Sequence, residues 1–172
     1  MLLPGHADIA IDGIVYSFGR YDEEALESCG LIGVGVMIRT PEDITDRQQL
    51  DAGKTITKYT VHLTDEQFER LNEYFKNLVS EANAWEDKDG TEGVEKFKFD
   101  DSHQYSDYAL ISNNCTTFVG DALSYAMGDE LPLILKTNFI PVNMDRALQM
   151  IYDLSGNSGF VTDVGVLNNE QT

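Results

Sequence analysis

The chain has 172 residues, 42% of them hydrophobic and 10% aromatic, which suffices for one domain with a buried core. Its 30 acidic and 12 basic residues give a formal net charge of −18, which argues against binding to nucleic acid or to anionic membrane surfaces. No apolar run is long enough to span a bilayer, and no basic segment followed by an apolar stretch marks a secretory signal at the N-terminus.

The first predicted element is a hairpin. His6 to Ile11 alternates, Asp12-Gly13 is a favoured two-residue turn, and Ile14 to Phe18 returns as the second strand. Gly30 to Ile38 is apolar enough for a buried strand, and its glycines allow another backbone to come close. Residues 40–54 are polar and are expected to form a loop. Thr55 to Leu63 reads as a further strand, carried by Ile56, Tyr59, Val61 and Leu63.

The clearest helix starts at Thr64, where Thr64-Asp65-Glu66-Gln67 forms a capping box. Phe68, Leu71, Phe75, Leu78, Val79 and Ala82 then recur at helical spacing. An acidic segment around Asp87-x-Asp89-Gly90-x-Glu92 comes next. It offers oxygen ligands but lacks the twelve-residue calcium-loop pattern, so a solvated acidic loop is expected and no metal site. Val94 to Phe99 alternates as a short strand. Asn113-Asn114 can cap a helix whose buried face is Phe118, Val119, Ala122, Leu123 and Ala126, with Gly128 as its stop. Pro141 introduces a last helix over 143–154, and one more short strand is expected at 160–167. The expected class is α+β with a mostly antiparallel sheet packed on helices. Residues 1–156 form a single domain and 157–172 a C-terminal tail.

Cys29 and Cys115 are too few for a disulfide scaffold; whether they pair is left open by the sequence. Cys115 falls in the first turn of its predicted helix. There the unpaired N–H groups favour a thiolate and could contribute to an oxyanion hole. His6 opens the first strand, while His62 lies in a strand and His103 in a loop; the latter two read as structural or surface residues. The three histidines lack zinc-ligand spacing, so no cofactor is expected.

The segment Ser112-Asn113-Asn114-Cys115-Thr116-Thr117-Phe118-Val119, after Tyr108-Ala109-Leu110-Ile111, resembles the nucleophile motif of the circularly permuted NlpC-type papain-like cysteine hydrolases, relatives of lecithin:retinol acyltransferase. Gly5-His6-Ala7-Asp8-Ile9-Ala10-Ile11-Asp12-Gly13, followed by Val15-Tyr16-Ser17-Phe18, resembles the family's histidine-bearing hairpin. The resemblance implies a papain-like fold with Cys115 as nucleophile, His6 as general base and Asn114 as an oxyanion or substrate-positioning residue. It implies an orienting residue on the second strand. Ser17 is the nearest match by position, with Asp8 and Asp22 as substitutes.

It further implies hydrolysis of amide bonds in a peptide or peptidoglycan-like substrate, as in a bacterial amidase or peptidase. Delivery as a type VI effector toxin would fit a chain that is cytoplasmic as made and exported by a signal-independent route. A cognate inhibitor or a secretion-apparatus protein would then be a partner. Two alternatives stand beside this: a lipid-type acyltransferase or thioesterase, and a non-catalytic papain-like binding domain.

Overall fold

The computed structural model describes residues 5–20, 32–85, 93–110, 112–136, 140–155 and 159–168. Asp22, Cys29 and the acidic Asp87–Glu92 motif lie outside the described residues.

The hairpin forms around the Asp12-Gly13 turn, with both residues at positive φ. It joins β1 (Asp8–Ile11) to β2 (Ile14–Arg20) in antiparallel register, so that Asp8 stands opposite Ser17 and Ala10 opposite Val15. β3 (Ile32–Pro41) continues the sheet beside β2, with Ser17 opposite Ile38. The chain then enters α1 (Glu42–Asp51), where the sequence predicts a loop. This helix buries none of its residues, so it carries no apolar stripe that could have announced it. It is held from outside. Glu42 N–H donates to Gly13 O at 2.9 Å. Lys58 Nζ reaches Glu42 Oε1 at 2.6 Å and Asp46 Oδ2 at 2.5 Å.

Lys58 belongs to β4 (Ile56–Val61), which pairs with the last strand, β8 (Val161–Leu167), in a separate two-stranded sheet. α2 (Asp65–Glu81) begins on the expected capping box: Thr64 N–H donates to Gln67 Oε1, and Gln67 N–H to Thr64 Oγ1. β5 (Asn83–Ala84) and β6 (Glu95–Lys98) complete the main sheet, whose order is β1-β2-β3-β6-β5, and β7 (Asp107–Ala109) pairs with the start of β3. All of these pairings are antiparallel. α3 (Cys115–Met127), the one-turn α4 (Leu133–Lys136) and α5 (Pro141–Ser155) come after them. The fold is α+β with antiparallel sheets.

The core lies where α2 and α3 meet the sheet. Phe18 and Met37 from β2 and β3 pack with Phe75 of α2, Phe118 of α3, and Phe99 and Tyr105, each at most 2% exposed. Each large side chain so buried contributes on the order of 1.5–3 kcal/mol. Gly35 is required at its place: a Cβ there would overlap the Tyr105 carbonyl and come within 2.7 Å of Phe18 Cζ. Polar ties hold the two helices together as well. Tyr74 and Tyr105 share a hydroxyl–hydroxyl bond of 2.8 Å, and Tyr105 donates to Asp121 Oδ2 at 2.8 Å. Among the described residues, no helix is long and apolar enough to cross a membrane.

Candidate active site

α3 starts at Cys115 because Asn114 stops the preceding chain in an extended conformation and caps the new helix. Its Oδ1 accepts from Thr116 N–H at 2.8 Å and from Thr117 N–H at 3.2 Å, while Thr117 Oγ1 accepts from Asn114 N–H at 2.8 Å. Asn114 Nδ2 donates to Leu110 O at 2.7 Å. Asn114 is 1% exposed, and these bonds commit its side chain to building the helix start rather than to an open surface.

The helix packs on β1 and β2, and that packing brings its first residue to the segment just before β1 that carries His6. Gly5, just before His6, lies against α5: a Cβ on Gly5 would stand 3.6 Å from Pro141 Cβ. Alternation places His6 and Asp8 on one face of the extended chain, and strand register adds Ser17 opposite Asp8. The contacts bear this out. His6 Nε2 lies 2.7 Å from Ser17 Oγ and 2.8 Å from Asp8 Oδ1. An ionised carboxylate only accepts, so Asp8 favours the tautomer with its proton on Nε2. Nδ1 is then the nitrogen with a lone pair to offer.

Cys115 is a free thiol, 4% exposed, and the His6 side chain acts on its pKa. Burial is the largest single influence on this thiol and pushes its pKa up. Together, the His6 hydrogen bond and charge, the Ala7 backbone and the Thr116 hydroxyl outweigh burial and hold it below the ordinary value.

The structure therefore brings Cys115, His6 and Ser17 together and adds Asp8, which the family resemblance ranks behind Ser17. The signal for Asp8 is present in the sequence: it stands two residues beyond His6 and pairs with Ser17 across a two-residue turn. His103 is elsewhere, stacked on Phe99 and bonded to Glu81 Oε2 at 3.2 Å. His62 continues the β4–β8 pairing through its backbone N–H, which donates to Phe160 O at 2.9 Å. Among the described residues, no group of three or more His, Cys, Asp or Glu side chains could hold a metal ion.

Comparison with protein-family models, curated proteins and solved structures finds no match to this chain. Chemically, the arrangement offers a thiol with a lowered pKa at a helix N-terminus and an imidazole on it. That imidazole is oriented by a carboxylate and a hydroxyl. Such a set can attack a carbonyl and shuttle one proton.

Proposed function

We propose that this protein is a papain-like cysteine hydrolase acting on amide bonds, with Cys115 as nucleophile and His6 as general base. The observation that carries the reading is the His6–Cys115 pairing at the start of α3, with His6 Nε2 held by Asp8 and Ser17. Proximity of a thiol and a helix terminus alone would not suffice, since most buried cysteines are inert.

The tautomer dictates the steps. His6 takes the thiol proton at Nδ1, and Asp8 stabilises the resulting imidazolium through Nε2–H. The Cys115 sulfur attacks the carbonyl carbon, and the oxyanion is received by the Cys115 backbone N–H, since the Asn114 cap already takes up those of Thr116 and Thr117. His6 returns the proton to the amine nitrogen as the C–N bond breaks, leaving a thioester on Cys115. Water, deprotonated by His6, then attacks that thioester; the acid product leaves and the thiol is reprotonated.

The substrate class proposed on the family resemblance is a peptide or a peptidoglycan-like amide, and the effector-toxin role rests on the same resemblance. The charge of −18 supports a neutral or cationic substrate over an anionic one.

The test is the pH dependence of Cys115 alkylation by iodoacetamide in the wild type and in His6→Ala, followed by mass-spectrometric screening of peptidoglycan fragments for cleavage. The wild type should alkylate well below the pH expected of a free thiol near 8.5. His6→Ala should move that profile upward. A slow thiol indifferent to His6 would overturn the hydrolase and favour the non-catalytic binding domain.

A further inference from the structure

The β4–β8 ribbon meets a helix on each face. Lys58 turns to one side, where it reaches Glu42 and Asp46 of α1. Thr57 and Tyr59, its neighbours along β4, turn to the other, beside their register partners Val166 and Val164. α5 lies over that second side, with Tyr59 Oη donating to Asp145 Oδ1 at 2.7 Å, and a groove of about 540 Å³ runs between helix and ribbon. Its apolar lining is open: Met150 is 51% exposed, Leu154 83% and Val166 50%. A single exposed apolar side chain needs no explanation, but three from two elements lining one groove form a patch of the kind that partners cover.

The groove carries charge as well. Asp145 and Asp153 line it, and they accept from neutral donors, the Tyr59 hydroxyl and, at 2.9 Å, the Gln149 amide. Arg146 is the lone cation among the residues lining it. The formal charge of the whole chain, −18, adds to this negative field. A second copy of the chain would bring the same carboxylates and the same excess, so charge sets it against this groove. We propose that the groove docks a cationic amphipathic segment of a protein partner. Its apolar side chains cover Met150, Leu154 and Val166, while its Lys or Arg side chains meet Asp145 and Asp153. The surface is separate from the candidate active site. Pro141 at the start of α5 lies against Gly5, whereas the groove uses α5 from Asp145 onward, and none of Cys115, His6, Asp8 and Ser17 lines it. The proposal therefore does not rest on the hydrolase reading.

The experiment is fluorescence anisotropy of labelled peptides of about 15 residues, titrated with the full chain at roughly 0.15 M salt. The probe carries Leu at helical spacing on one face and Lys on the other. One control has Glu in place of every Lys, and a second has Ser in place of every Leu. The Leu/Lys peptide should bind, with both controls at least about tenfold weaker. Leu154→Ser combined with Met150→Ser should weaken the Leu/Lys peptide by about tenfold. Both side chains are already exposed, so the fold should survive, and far-UV circular dichroism checks it. Asp153→Asn should weaken binding roughly threefold, whereas Asp43→Asn, an equal loss of charge on α1, should leave it unchanged.

A Leu/Lys peptide that fails to bind overturns the proposal. So does one that binds the groove variants as tightly as the wild type, because its attraction would then be to the acidic chain at large. Sedimentation of the protein alone tests the other occupant. A dimer that Leu154→Ser dissolves would assign the groove to a second copy and overturn the cationic partner.

Discussion

Asp8 and Ser17 meet the same nitrogen of His6, and their chemistry ranks them. Asp8 can stabilise a positive imidazolium through charge as well as a hydrogen bond, whereas Ser17 offers only a hydroxyl. Asp8→Asn removes the charge and can present its amide in the wrong sense to the ring. It should raise the midpoint of the Cys115 alkylation profile by about one pH unit or more, because an unsupported imidazolium favours the thiolate less. Ser17→Ala should move it by less than half as much. A larger shift from Ser17→Ala would restore Ser17 to the orienting place that the family resemblance gives it. At this scale the sequence is informative about types and poor about ranks. Cys115 and His6 stand out through their flanking residues. That Ser17 and Asp8 meet one ring nitrogen, at 2.7 and 2.8 Å, is a matter of geometry that no spacing rule reports.

Asn114 accepts from two backbone N–H groups at the start of α3, so capping and reactivity there can be separated by substitution. Asn114→Ala removes the acceptor of two backbone N–H groups and the donor to Leu110 O. It should cost about 2 kcal/mol in urea unfolding, at the upper end of measured cap losses because the site is buried. Asn114→Asp keeps the acceptor and suits the helix dipole, so it should recover much of that stability. Yet it sets a negative charge beside Cys115, which disfavours the thiolate and should slow alkylation at neutral pH. If Asn114→Asp alkylated like the wild type, the charge at the cap would not reach the sulfur. The elements that could be read in advance share this dependence on local signals. α2 and α3 each combine a capping box with an apolar face. α1 has Pro41 at its cap and no buried residue, and its attachments, Gly13 and Lys58, are remote in sequence. β5 and β7, of two and three residues, are too short to show a period. Their existence depends on their partners in β6 and β3.

Across the whole molecule, 30 acidic residues face 12 basic ones, and the described ion pairs use several of those scarce cations. Arg39 with Glu95, Lys58 with Glu42 and Asp46, and Arg70 with Glu66 are each exposed or half-exposed. Two electrostatic effects of added salt therefore oppose one another. Screening weakens these pairs, which at such exposure contribute at most about 1 kcal/mol each. Screening also weakens the repulsion among the excess carboxylates, which the folded state brings closer together than the unfolded chain does. With a net charge of −18, unlike-charge contacts are outnumbered by like-charge ones, so relief of repulsion should win. Raising sodium chloride from roughly 20 to about 500 mM shortens the Debye length from roughly 20 Å to about 4 Å. Over that range the midpoint of thermal unfolding should rise by about 5 °C, since roughly 1–2 kcal/mol corresponds to a few degrees for a chain of this size. Differential scanning calorimetry at a fixed pH of about 7.5, where carboxylates are ionised, measures it. A midpoint that falls with salt would mean that the Arg39, Lys58 and Arg70 pairs outweigh the repulsion, and that the acidic excess is spread widely enough to act only on partners and substrates.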